Sequence, residues 1–130
     1  MKLNTPQSPR RLLVVDTDHD LADSMCAWIG LTTQWTAIPA YGAEQAVAKA
    51  REAPFDCVLL DIALASAEGI DTAAMLDEAN EGSHPAILGF TGDADLRDAA
   101  STDKRFVASL LKPADSERLL GLLATLIGPG

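Results

Sequence analysis

Five short apolar runs punctuate the chain: "LLVV" at 12–15, "WTAI" at 35–38, "FDCVLL" at 55–60, "AILGF" at 86–90 and "FVASLL" at 106–111. Four of them show little alternation between apolar and polar residues, the pattern of strands covered on both faces. Between the runs, apolar residues recur at helical spacing. Leu21, Met25, Trp28 and Ile29 form one stripe, and Ala43, Ala46, Val47 and Ala50 form another. Leu119, Leu122, Leu123, Leu126 and Ile127 make a last stripe that ends at Gly128 and Pro129. Strand and helix alternating five times over predict an α/β fold, an open five-stranded parallel sheet with helices on both faces. Right-handed crossovers leave few topologies for such a sheet.

A chain of 130 residues, 48% of them hydrophobic, is long enough to bury one core and too apolar to stay disordered. The sequence predicts one domain over residues 11–127, preceded by a flexible tail at 1–10. A formal net charge of -9 argues against direct contact with nucleic acid, whose phosphates require basic patches. It suits a metal cation or the basic surface of a partner protein. Cys26 and Cys57 have the spacing of neither a metal knuckle nor a redox pair, and both lie in apolar stretches. They read as buried free thiols of a reducing compartment. No apolar run approaches the roughly 18 residues of a membrane span, and "MKLNTPQSPRR" lacks the apolar centre of a signal peptide. The expected location is cytoplasmic.

In open α/β sheets, ligands bind outside the carboxyl ends of the strands, where strand order reverses. The residues that follow each run are therefore the candidate site. Asp16, Thr17 and Asp18 follow the first run, Asp61 the third, Thr91 and Gly92 the fourth, and Lys112 and Pro113 the fifth. The second ends in "PAYG", which offers no comparable group. Carboxylates brought together from neighbouring strands repel, and a hard, oxygen-preferring cation such as Mg²⁺ relieves that repulsion. A lysine adds a point charge for a phosphate oxygen, and a threonine hydroxyl adds a further donor. These are the parts needed to transfer a phosphoryl group onto a carboxylate, with Asp61 as the nucleophile.

With "LLVVDTD", "CVLLDIALASAEG", "FTG" and "LLKP" in this order, the chain resembles the receiver domains of two-component response regulators from about Arg11 to Ile127. The resemblance implies a flavodoxin-like strand order of 2-1-3-4-5. It also implies that Asp61 is the phosphoacceptor and that Asp16, Asp61 and the backbone carbonyl of Ala63 bind Mg²⁺. Thr17 or Asp18 would be a further metal ligand. Thr91 and Lys112 would hold the acyl phosphate, and Pro113 would follow a cis peptide bond. The donor implied is a sensor histidine kinase or a phosphotransfer protein. The output would be a downstream protein bound through the side made by the fourth helix and fifth strand. Such a domain catalyses only its own phosphorylation and dephosphorylation and turns over no separate substrate.

Three departures from the family pattern involve four residues. Thr17 stands where a second metal-binding carboxylate is usual, so metal binding weaker than usual is expected. Leu64 and Ala65 replace the common methionine–proline after the acceptor, and Ser109 replaces the aromatic three residues before the lysine. Thr17 and Ser109 together suit an alternative function, a receiver-like interaction module that no longer depends on phosphate. "DTD" also resembles the nucleophile loop of haloacid-dehalogenase-type phosphatases, but the glycine–threonine and later acidic pair of those enzymes are missing, and Asp61 is left unexplained.

Several of these residues have plainer readings. Asp18 or Asp20 can cap the helix that begins near Leu21, and Thr91 before Gly92 can be a turn residue. Trp28 and Trp35 read as packing residues. His19 and His84 read as surface residues with no partner suggesting metal or catalysis, and Glu68 and Asp71 as the start of the third helix.

Overall fold

The computed structural model describes residues 10–65, 72–80 and 84–127. Its strands are β1 (Arg11–Val15), β2 (Thr36–Ala40), β3 (Cys57–Asp61), β4 (Ala86–Thr91) and β5 (Ala108–Leu111). All pair in parallel, in the order β2-β1-β3-β4-β5, as expected. The helices are α1 (His19–Thr32), α2 (Ala43–Glu52), α3 (Ile62–Ala65), α4 (Thr72–Ala79), α5 (Ala94–Ala100) and α6 (Ser116–Ile127). The third crossover therefore carries two helices, and the fourth helix of the sequence reading is α5. Glu68 and Asp71 lie outside the described residues, as does the expected tail except Arg10.

Successive strand residues point to opposite faces, and that alternation splits the core in two. Leu13, Val15, Val58, Leu60 and Ile87 pack beneath α2, α4 and α5, against Ala46, Val47, Ala73, Leu76 and Ala100. Leu12, Val14, Leu59, Leu88, Phe90 and Leu110 pack on the other face against Ala22, Met25 and Ile29 of α1 and Leu119 and Leu123 of α6. Each fully buried leucine contributes about 1.5–3 kcal/mol. Both faces are covered, which is why the runs read as continuously apolar.

Three strands begin later than their apolar runs, because aromatic residues at the run starts serve other purposes. Phe55 is buried, and its backbone is held by a side chain instead of a strand. Its N–H donates to Asn80 Oδ1 at 3.0 Å, and its carbonyl accepts from Asn80 Nδ2 at 3.1 Å. Phe106 closes a turn, its N–H donating to the Asp103 carbonyl. Trp35 stays buried just before β2. At its other end β2 runs on through Pro39, which an edge strand tolerates.

In parallel register, Val15 lies opposite Leu60 and Ala40, Asp61 opposite Phe90, and Thr91 opposite Leu111. The carboxyl ends of β1, β3, β4 and β5 thus open on one edge, and strand order reverses between β1 and β3.

Candidate functional site

Asp16 leaves β1 with its N–H still bonded to the Ala40 carbonyl of β2, at 3.0 Å. Its Oδ1 accepts the Asp18 N–H at 2.9 Å, a local turn that reverses the chain into α1. The carboxylate is buried, and its Oδ2 pairs with the Lys112 ammonium. Asp61 closes β3, where its Oδ1 accepts the Ala63 N–H at 2.9 Å. Lys112 follows β5, anchored by its N–H on the Thr91 carbonyl at 2.7 Å, and Lys112–Pro113 is a cis peptide bond. Its Nζ reaches Asp61 Oδ2 at 3.1 Å and lies 5.5 Å from the Phe90 ring centroid. One ammonium thus joins two carboxylates from neighbouring strands, all three side chains being mostly withdrawn from water. Their charges act there through a lower dielectric than on the surface.

Thr91 is buried at the end of β4. Its Oγ1 accepts the Asp93 N–H at 3.2 Å, which uses an oxygen lone pair and leaves the hydroxyl proton for another acceptor. The same turn starts α5, since Asp93 Oδ1 accepts from Asp95 and Leu96. Ala63 sits in the single turn α3. With Ala65 in place of a proline, nothing disfavours helical backbone at Leu64.

Asp18 is the N-cap of α1, its Oδ1 accepting the Leu21 N–H at 3.1 Å. Thr17 is exposed, and among the described residues its hydroxyl has no hydrogen-bond partner. Nor do three carboxylate, imidazole or thiolate groups converge anywhere among the described residues. The edge therefore presents the two acidic side chains Asp16 and Asp61. A pair of hard oxygen donors fits Mg²⁺, which is commonly held through one or two carboxylates and keeps several waters.

Both histidines are exposed, as expected. His84 Nδ1 lies 2.6 Å from Asp77 Oδ1 on the surface, just before the amino end of β4, the end opposite Thr91. His19 stacks on Tyr41 with ring centroids 4.0 Å apart. Tyr41 follows β2. Its hydroxyl donates to Asp23 at 2.6 Å, and this bond pushes the phenol pKa up and keeps it protonated. Burial raises the thiol pKa of Cys57 to about 12 and, aided by Asp23, that of Cys26 to about 11. Neither is a thiolate near neutrality, so neither has the form that attacks or binds metal.

Ser109 is buried, and its Oγ donates to the Arg97 carbonyl of α5 at 2.9 Å. Arg97 in turn pairs with Asp98 and with Asp115, whose carboxylate accepts the Leu111 N–H at 2.8 Å. The position where the family carries an aromatic is here a tie between β5 and α5.

Among solved structures, the chain is similar to a CheY-like receiver domain protein from Methanospirillum hungatei. The two are 24% identical over 89% of this chain and 91% of that one, with a TM-score of 0.69. It is also similar to the response regulator protein TrrA from Thermotoga maritima in complex with Mg²⁺ and BeF (20% identity, 90% and 98% coverage, TM-score 0.72). A third similar structure is a Burkholderia pseudomallei response regulator with a phosphorylated aspartic acid, a calcium ion and citrate (24% identity, 89% and 67% coverage, TM-score 0.70). No curated protein matches the chain. The family model described as response regulator receiver domain matches residues 12–124. The chain belongs to the receiver domain family of two-component response regulators.

Proposed function

We propose that this receiver accepts a phosphoryl group from a phosphohistidine of a sensor histidine kinase or phosphotransfer protein onto Asp61. The observation that carries the reading is the Lys112 ammonium shared between Asp16 and Asp61 at the strand-order switch point. In the reaction an Asp61 oxygen forms a bond to phosphorus. The phosphorus–nitrogen bond breaks, and the imidazole leaves with the electron pair. Lys112, already 3.1 Å from Asp61, takes up one phosphoryl oxygen, and the free hydroxyl proton of Thr91 serves another. Asp16, Asp61 and the Ala63 carbonyl, with Thr17 or Asp18, would hold Mg²⁺, which would supply the remaining charge neutralisation. Hydrolysis of the acyl phosphate regenerates Asp61, so the domain acts on itself and turns over no separate substrate.

The added charge at Asp61 biases the β4–α5 and β5 segments through Thr91 and Lys112. The face of α5 and β5 is then the surface read by a downstream protein. The free, protonated thiols, Cys57 buried and Cys26 only half-buried where full burial was expected, suit a cytoplasmic setting, and the net charge of -9 suits protein partners better than nucleic acid or anionic lipid. Among the described residues no helix is long and apolar enough to cross a membrane.

Incubation with a small acyl-phosphate or phosphoramidate donor and Mg²⁺, followed by intact mass, tests the reading. One hydroxylamine-labile phosphoryl group is expected on the protein and none on Asp61→Asn.

A second reading has a specific basis. Thr17 leaves the site one carboxylate short, and Ser109 fixes α5 to β5 without any phosphate. Both suit an interaction module independent of phosphorylation. In that case the α5–β5 face binds its partner equally well in the wild type and in Asp61→Asn.

A further inference from the structure

Gly89 lies in the middle of β4, opposite Leu60 of β3 and Ser109 of β5. Its backbone is in the ordinary extended region, so glycine is not there for conformational freedom. The reason is space. A Cβ at this position would lie 2.8 Å from Ile62 Cγ1, 3.1 Å from Ile62 Cδ1 and 3.2 Å from Phe106 Cδ1. Real carbons do not approach to 2.8 Å, and Ile62 Cγ1 is not the free tip of a long side chain. It sits one bond from a branched Cβ, whose χ1 is stiff. Phe106, itself buried, closes the notch on its other side.

Ile62 is the residue between Asp61 and Ala63, and the bond from Ala63 N–H to Asp61 Oδ1 spans it. Its half-buried side chain packs into the core under α2, α4 and α5. The junction of β3 and α3, which carries the candidate acceptor, is therefore pinned from below at Ile62. A side chain with a fixed χ1 in a closed notch fixes the backbone from which it projects. That backbone in turn aims the Asp61 carboxylate at Lys112 and sets the Ala63 N–H on Asp61 Oδ1.

We propose that Ile62, seated in the notch left by Gly89, is the positioning residue of the β3–α3 junction, holding Asp61 and Ala63 in the arrangement that phosphoryl transfer needs. The inference rests on the reading of Asp61 as phosphoacceptor. Ile62 touches no reacting atom and acts through the backbone on either side of it.

Four variants test this: Ile62→Val, Ile62→Ala, Gly89→Ala and the double Gly89→Ala/Ile62→Ala. Two readouts are taken, the hydrogen-exchange rate of the Ala63 amide by NMR and the rate of labelling by a small phosphodonor with Mg²⁺. Ile62→Val keeps a γ carbon over Gly89, and both of its rates stay within about twofold of the wild type. Ile62→Ala empties the notch and Gly89→Ala expels its occupant, so each exchanges Ala63 faster and labels about tenfold slower. In the double variant the new Cβ occupies the space that Ile62 has vacated, and both rates return towards the wild type.

The proposal is overturned if Ile62→Ala matches Ile62→Val in Ala63 exchange, or if the double variant is no better than Gly89→Ala. Should Gly89→Ala fail to fold, the Ile62→Val and Ile62→Ala pair decides alone. A wild type that exchanges as described but takes no label refutes the phosphoacceptor reading and leaves the positioning role standing.

Discussion

The Lys112 ammonium lies 3.1 Å from the Asp61 carboxylate and also pairs with Asp16, so one cation serves two acidic side chains. None of the three is more than about one-fifth exposed. This arrangement fixes what each charge change at the site should do.

Lys112→Ala leaves two carboxylates side by side with their shared cation removed. Stability is expected to fall by roughly 3 kcal/mol, the scale for breaking a largely buried charge group from one side. Urea unfolding at neutral pH measures this. Saturating Mg²⁺ should stabilise the variant more than the wild type, since a cation bound only by the folded state adds stability by mass action.

Thr17→Asp adds a carboxylate where the site now has an exposed hydroxyl. Mg²⁺ affinity, followed by calorimetric titration, should rise by on the order of tenfold, a difference of about 1.4 kcal/mol. Equal affinity in the two proteins would mean that Thr17 costs the site nothing.

Asn80→Ala removes both hydrogen bonds that hold the Phe55 backbone, in a place closed to water. An unsatisfied N–H and C=O together cost about 2–4 kcal/mol. The expected signature is a lower urea midpoint with an unchanged slope.

The Arg105 guanidinium beside Asp103 holds the Asp103 carboxyl below the usual carboxylate range. A depressed folded-state pKa adds stability above the unfolded value of about 3.9, and that stability is lost as pH falls through the folded value. Asp103→Asn should therefore melt earlier than the wild type near neutrality, with the gap closing below about pH 4. Thermal melts at a series of pH values test the sign.

The sheet was legible in the sequence because strands buried on both faces leave uninterrupted apolar runs, and their ends carry the polar groups of the site. The strand order expected from the family resemblance is the one observed. Residues at the candidate site were legible for the same reason: Asp16, Asp61 and Lys112 each stand directly after a strand, or at its last residue, and the sheet brings them together. Other features left no periodic signal. Asn80 grips Phe55 from 25 residues away, and His84 meets Asp77 of α4 across the sheet–helix packing. The stack of His19 on Tyr41 depends on how α1 passes the end of β2. Ser109 could be seen as a departure from the family pattern, but its bond to the Arg97 carbonyl depends on where α5 lies. Gly89 in a strand signals a close approach, but not that the approaching group is Ile62.

Mass spectrometry of the intact protein after exposure to a small phosphodonor and Mg²⁺ decides whether Asp61 is a phosphoacceptor. One phosphoryl group, labile to hydroxylamine and absent from Asp61→Asn, is the predicted result. An unlabelled wild type, or equal labelling of Asp61→Asn, would contradict it.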